Sequence, residues 1–328
     1  MTTVRRLTFA LLCSATFARA IYPQVATRHT SLRIGLVTGG NPDAPSGAAS
    51  VARGVRLGAA ESKQTAALFG DNIDLYEENG AAGASLVAAE RLAFTRKVQV
   101  LIAASAVDAD ALSRFAESHH MIFVNAASRS QALRAACRRY TFHVEATDAM
   151  YANAAHAAGQ WPVTMSATAS PQTVGSDQDS VTLWGPDLQR FGANQLNDRY
   201  RDRYHSGMDG FAWAGWAAVK IATEAALRTQ SSSPAKLLAY LESPSTQFDG
   251  HKGWPLTFRV ADHQLRQPLY IAQLMGAGGY RFRDVPELRD GSSLGTTPSN
   301  SGSRAPYRIL LDSLIAAPGV RACHWRTK

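Results

Sequence analysis

The sequence lacks the arrangements that catalysis, metal binding or nucleotide binding would need, and each absence removes a class of chemistry. No strand-to-helix elbow presents a serine nucleophile beside an orienting His and Asp: the one G-x-S-x-G string, Gly291 to Gly295, falls in a Ser/Gly/Pro-rich stretch with no strand or helix pattern around it. There is no H-E-x-x-H pair to hold a metal on one helix face, and no G-x-x-x-x-G-K-[ST] loop to cradle phosphates. The glycines of "IGLVTGGNPDAPSG" (Gly35, Gly39, Gly40 and Gly47) miss the G-x-G-x-x-G spacing of a dinucleotide turn. His119 and His120 adjoin at a helix end, where side chains diverge, and His143, His156, His205, His251 and His263 stand alone. No catalytic residue, metal site or cofactor is expected.

Cysteine is also scarce, with 3 in 328 residues. Cys13 falls in "MTTVRRLTFALLCSATFARA", where Arg5 and Arg6 precede an apolar run from Leu7 to Ala18 and then Ala18-Arg19-Ala20. That is the three-part pattern of a secretory signal, too short to span a bilayer. Leu12 is bulky where a lipoprotein signal wants a small residue, so residues 1–20 read as a cleaved leader and the mature chain as soluble and exported. Cleavage leaves Cys137 and Cys323, an even pair in an oxidising compartment. They form either a bridge or two separate thiols. A bridge would stabilise by about 4 to 5 kcal/mol in the chain-entropy model.

Charged residues make up only 18% of the chain, but their balance is +8 with a pI near 9.6. An arginine excess suggests an anionic partner. Here it is scattered: Arg134, Arg138 and Arg139 form one tight cluster without the interleaved aromatics that stack bases, and Arg199, Arg201 and Arg203 form another in which Asp198 and Asp202 offset the charge. No nucleic-acid partner is expected.

What the sequence does contain is a β-α rhythm. "LRIGLVTGG" reads as a buried strand and "SGAASVARGVRLGAAESK" as a helix; "NIDLYEENG", "AGASLVAAERLAFTRK", "VQVLIAAS", "VDADALSRFAESHH" and "MIFVNAAS" continue the alternation. Such units imply right-handed crossovers and a parallel sheet covered on both faces, a doubly wound α/β lobe. After "TDAMYANAAHAAGQW" the rhythm stops. Residues 162–179 are polar and small, and helices return in "GPDLQRFGANQLNDRYRDRYH", "DGFAWAGWAAVKIATEAALRTQ" and "SPAKLLAYLES". Residues Glu287 to Pro306 are a Ser/Gly/Pro-rich connector, and "YRILLDSLI" is a short apolar element before Cys323.

"QFDGHKGWPLTFRVADHQLRQPLYIAQ" concentrates His251, Lys252, Arg259, Asp262, His263 and Arg266 as an active site would. Its two β-runs, "WPLTFRV" and "QPLYIAQL", read instead as a hairpin around "ADHQ". The charges then lie on its solvated face, with Trp254, Leu256, Phe258, Leu269 and Ile271 turned to the core.

Together these stretches resemble the amino-acid-binding type of periplasmic binding protein, the two-lobed solute receptors of ABC importers. "RIGLVTGGNPDAPSGAASVARGVRLGAAE" resembles the family's first strand, loop and helix. "VQVLIAASAVDADALSRFAESHHMIFVNAAS" resembles the stretch that receives an amino acid's carboxylate and ammonium. "FDGHKGWPLTFRVADHQLRQPLYIAQ", "VTLWGPDLQRFGANQLNDRY" and "LLDSLIAAPGVRAC" are closer to a subgroup encoded beside pyrroloquinoline-quinone-dependent alcohol dehydrogenases. The resemblance covers most of the mature chain.

It implies a periplasmic monomer without catalysis that hands a small amino-acid-like or carboxylic ligand to an ABC permease. Carried over by position, Ser105 takes the place of the carboxylate-binding serine. Ala126 and Ser128 take the places of the ligand-contacting turn, Phe211 that of the cleft aromatic, and Asp177 that of an acid pairing with the ammonium. The lobes fall at 31–145 plus about 205–245, and at 146–204 plus about 246–285, with 286–328 as connector and tail. One departure stands out. About twenty residues separate Gly159 from "SVTLW", too few for a βαβ unit of about thirty, so the second lobe reads as truncated. Two other readings remain: a truncated relative that no longer binds tightly, and an exported α/β enzyme, which has only the fold in its favour.

Overall fold

The computed structural model describes residues 29–39, 47–157, 180–274, 280–284 and 323. The expected leader at 1–20, Asp177, the side chain of His156, the connector from Glu287 to Pro306 and the apolar element before Cys323 lie outside the described residues.

Five strands form one parallel sheet: β1 (Ser31–Thr38), β2 (Asn72–Asn79), β3 (Val100–Ala103), β4 (Ile122–Asn125) and β5 (Thr141–His143), in the order β2-β1-β3-β4-β5. Side chains of a strand alternate between faces, so both faces must be apolar if both are covered. On β3, Val100 and Ile102 join one core cluster while Leu101 and Ala103 join another. The first face is covered by α1 (Gly47–Ala67), α7 (Gly210–Thr229) and α8 (Pro234–Glu242), the second by α2 (Ser85–Glu90) and α3 (Ala109–Ser118). This bears out the doubly wound reading. The run expected as one helix from "AGASLVAAERLAFTRK" is broken into a 3-10 turn at Ala81–Gly83, α2, and a π turn at Arg91–Thr95. Shorter helices follow: α4 (Gln131–Ala135), α5 (Asp148–Ala157) and α6 (Ala193–Tyr204).

α1 and α7 touch backbone to backbone. A Cβ placed on Gly54 would lie 1.8 Å from the carbonyl oxygen of Ala212, and one on Gly215 would lie 2.3 Å from that of Val51. Asp209 caps α7, accepting from the Ala212 amide at 2.8 Å and from the Ser50 hydroxyl at 2.7 Å. Trp213 and Trp216 fill the surrounding core. The chain after residue 205 is thereby locked onto the first helix.

The hairpin expected around "ADHQ" forms differently. β8 (Pro255–Phe258) pairs with β7 (Phe248–Asp249) and with the two-residue β9 (Leu265–Arg266). The run "QPLYIAQL" does not return along β8; its β10 (Tyr270–Leu274) joins β6 (Ser180–Thr182) and β11 (Tyr280–Asp284) in a separate antiparallel sheet. Pro268 has no amide to donate, and the Lys252 ammonium turns the chain there. It donates to the carbonyls of Leu183 (2.8 Å) and Pro268 (2.9 Å) and to Gln267 Oε1 (3.1 Å), and lies 3.9 Å from the Trp213 ring centroid.

The solvated face assigned to this stretch is also corrected. Lys252 and His263 are 0% exposed and Asp262 is 4% exposed, while Arg259, His251 and Arg266 are half-buried. Arg259 forks onto Asp262, and His263 stacks on Phe142 with centroids 4.3 Å apart and donates to the Thr141 carbonyl. Leu256, Phe258 and Leu269 do face the core. Cys137 is bonded to Cys323, 186 residues further on, and the Cys323 amide donates to the Ala261 carbonyl.

Gly54→Val should destabilise the protein by about 3 kcal/mol or more, since neither backbone can retreat. Lys252→Met, which strands three buried acceptors, should cost about 3 kcal/mol. Urea denaturation of each variant measures both; a loss under 1 kcal/mol at either position contradicts the packing described.

Candidate functional site

The chain leaves β1 to one side of the sheet and returns to the other at β3, so the strand order reverses between β1 and β3. Loops splay apart at such a switch point and leave a crevice at the carboxyl ends of the strands. Gly39 ends β1 there and Ser105 follows β3. A Cβ on Gly39 would lie 2.9 Å from Cβ of Ser105, so glycine lets the two loops meet. Ser105 is half-buried, and Asp108 stands beside the same glycine.

The turn after β4 lies at the same end of the sheet. Asn125 organises it: its Oδ1 accepts from the amides of Ala127 (3.3 Å) and Ser128 (2.8 Å), and its Nδ2 donates to the Ser128 carbonyl. These amides are consumed internally and are not offered to a ligand. Ala126 is 0% exposed, with its methyl in the core, and Ser128 is 5% exposed. Phe211, in the first turn of α7, is half-buried against the start of α1: a Cβ on Gly47 would lie 3.2 Å from its ring. The structure thus brings Ser105, Ser128 and Phe211 to one edge of the sheet, while Asp177 is outside the described residues.

Three residues that the sequence reading did not single out complete this edge. Arg129, next to Ser128, lies with its guanidinium carbon 4.3 Å from the Tyr151 ring centroid and 5.3 Å from that of Phe211. Glu145, just beyond β5, is fully buried. Its Oε1 accepts from the Tyr151 hydroxyl at 2.6 Å and from the Ala146 amide at 3.1 Å, and lies 3.5 Å from Arg129 Nε. Burial pushes the Glu145 carboxyl up, against the pull of Arg129 and of the Tyr151 hydrogen bond. Burial, followed by the Glu145 charge, pushes the Tyr151 phenol well up as well. The available signal was positional, since residues just past the ends of parallel strands are the ones a switch-point crevice displays.

Behind the turn lies a dry polar layer. Arg134, 1% exposed, donates to the carbonyls of Ser128 (2.7 Å), Ser130 (3.0 Å) and Glu145, and to Gln264 Oε1 (3.1 Å). Burial lowers its pKa to about 10, which leaves it charged at neutral pH. Gln264 in turn donates to the carbonyls of His143 and Glu145. Among the described residues no group of three His, Cys, Asp or Glu side chains is placed to hold a metal ion.

A groove of about 1110 Å³ opens elsewhere, along the C-terminal halves of α1 and α7, lined by Glu61, Trp216, Lys220, Glu224 and His251. Its chemistry is already internal. Glu61 accepts from Trp216 Nε1 (2.9 Å) and Arg199 (2.8 Å), and Glu224 lies 3.7 Å from Arg228.

Residues 178–279 match the family model described as periplasmic binding protein. No curated protein matches the sequence significantly. Among solved structures, the chain is similar to a branched-chain amino acid ABC transporter periplasmic ligand-binding protein from Burkholderia xenovorans LB400, with 11% identity, TM-score 0.66, and 81% of this chain and 97% of that one covered. It is similar to a solute binding protein of an ABC transporter from Rhodopseudomonas palustris BisB5 in complex with 3,4-dihydroxybenzoic acid (11%, TM-score 0.62, 77% and 96%). It is also similar to a branched-chain amino acid transporter substrate binding protein from Streptococcus pneumoniae in complex with isoleucine (13%, TM-score 0.60, 78% and 99%). At these identities the likeness is one of fold, and the fold is that of the type I periplasmic binding proteins.

Burial, then the charges of Arg134 and His263, hold His143 well below 6.5. Below pH 6.5 the unfolded chain binds a proton that the folded chain refuses, so stability should fall with pH by up to about 1.4 kcal/mol per unit from this group. His143→Asn should flatten that slope between pH 5 and 6.5. An unchanged slope in urea titrations would show that His143 is not held neutral.

Proposed function

We propose that this protein is the solute-binding component of an ABC-type importer: a periplasmic receptor without catalytic activity, which captures a small amino-acid-like or carboxylic ligand and delivers it to a membrane permease as a monomer. What supports this reading is the β1/β3 switch point, where Gly39 meets Ser105, together with the Ser128 turn and Phe211, which flank Arg129 at the carboxyl edge of the same sheet. The type I fold and the ligands of its structural neighbours, isoleucine and 3,4-dihydroxybenzoic acid, support it. Ser105 donates its hydroxyl to the ligand carboxylate, and free amides at the start of α3 add to that contact. Asp177 answers any ammonium.

We also propose the lobe boundaries given above, with a second lobe reduced in size. A link to alcohol-oxidation systems rests on the resemblance of the C-terminal segments alone. The reading of a truncated relative with lost binding draws on one observation: among the described residues a single parallel sheet occurs, and the remaining strands are short and antiparallel.

Thermal shift and calorimetry across branched-chain amino acids, aromatic acids and short carboxylates decide between these readings. A ligand at a hundred times its Kd should stabilise the protein by about 2.7 kcal/mol. Ser105→Ala should weaken that ligand about tenfold or more, the worth of a charge-assisted hydrogen bond. No shift with any compound at millimolar concentration rejects the receptor.

A further inference from the structure

An arginine side chain carries five N–H donors and is expensive to bury without acceptors. Arg129 retains 24% of its side-chain surface, yet among the described residues it closes no hydrogen bond of ordinary length, and its Nε is enclosed with only the distant Glu145 carboxylate before it. Its ion pair with Glu145 is long, at 3.5 Å. It is nevertheless fixed in place, lying over Tyr151 and near Phe211. A guanidinium with unspent donors, oriented by two rings at the carboxyl edge of a parallel sheet, is a preorganised receptor for a planar anion.

We propose that Arg129 joins Ser105 in reading the ligand's carboxylate and sets specificity for carboxylic acids lacking an α-ammonium, of the benzoate type. The inference rests on the receptor reading and deepens it. The guanidinium fork matches a carboxylate in two parallel hydrogen bonds, and the rings of Tyr151 and Phe211 supply apolar surface beside it. The same geometry disfavours an amino acid. An ammonium two bonds from the carboxylate carbon would be drawn close to the guanidinium, a like-charge juxtaposition in a partly desolvated site. Among the described residues the acid beside the guanidinium is Glu145, and it does not offset this: it is 0% exposed behind Arg129, with Oε1 already taken by Tyr151 and the Ala146 amide. The second oxygen, Oε2, is enclosed and has no partner, so a ligand reaches it only by displacing Arg129.

The test is calorimetric titration of the mature chain with benzoate, L-phenylalanine and L-isoleucine, in the wild type, Arg129→Gln and Arg129→Lys. Wild type should bind benzoate at least tenfold more tightly than either amino acid. Arg129→Gln should lose at least tenfold in benzoate affinity, and Arg129→Lys, which keeps the charge without the fork, should fall between. The unliganded melting temperature and circular dichroism report whether each variant folds, and the lysine variant alone suffices should the glutamine variant fail to. Wild type that prefers an amino acid, or variants that bind benzoate like wild type, overturn the role of Arg129 and leave the receptor standing. Wild type that binds none of the three, but binds some other small solute in the wider screen, overturns it equally, whereas no binding of any compound removes the receptor reading as well.

Discussion

A single guanidinium shut away from water holds this edge of the molecule together. Burying an unpaired charge costs several kcal/mol, and Arg134 avoids that only because four acceptors converge on it from three parts of the chain. Those acceptors belong to the turn after β4, to the segment after β5, and to Gln264 on the returning strand. Because the carbonyls of Ser128 and Glu145 are tied to the same cation, the side chains beside them, Arg129 and the Glu145 carboxylate, have little freedom. The geometry of the candidate site is thus inherited from a layer that no ligand touches, as a site placed to fractions of an ångström requires.

A second constraint is the contact between α1 and α7. Ser105 and Phe211 are 106 positions apart, and nothing local brings them together. Gly54 and Gly215 let the two helices approach until backbone meets backbone, and the Asp209 cap, fastened to Ser50, fixes where α7 begins. Phe211 then projects beside Gly47 at the carboxyl edge of the sheet. Buried Lys252 plays a related part further along, turning the chain at Pro268 so that β10 leaves β8 for a different sheet. Helix packing and one ammonium thus set the path of the described chain from α7 to β10.

How much of this was legible in the sequence follows from how far each cause reaches along the chain. The alternation of strands and helices up to residue 125 is a local pattern of apolar spacing, and it read correctly apart from the helix after β2, which is broken into three short pieces. The stretch from Gln247 to Gln273 misled because its charges alternate with apolar residues, which locally means a wet face. Lys252, Asp262 and His263 are buried because their partners lie elsewhere: Leu183 is 69 positions before Lys252, and Thr141 is 122 before His263. A buried polar network has no period, so no window of sequence displays it. The turn residues Ala126 and Ser128 were singled out, but the arginine beside them was not, since an arginine next to a serine is an ordinary surface sequence.

Arg129 and Arg134 are the same residue type, five positions apart on one turn, and they differ in one physical respect. Each of the three nitrogens of Arg134 donates to a carbonyl or an amide oxygen, and replacing its surroundings would gain nothing for a ligand. Arg129 is held just as firmly, by rings and by a carboxylate at ion-pair distance, but its donors are unanswered, and the acceptor behind it has one oxygen without a partner. A fold that satisfies one guanidinium completely can satisfy another; leaving donors open beside a crevice carries a cost in stability that bulk solvent offsets only in part. Complete satisfaction marks the residue that builds the site, and incomplete satisfaction marks the residue that uses it.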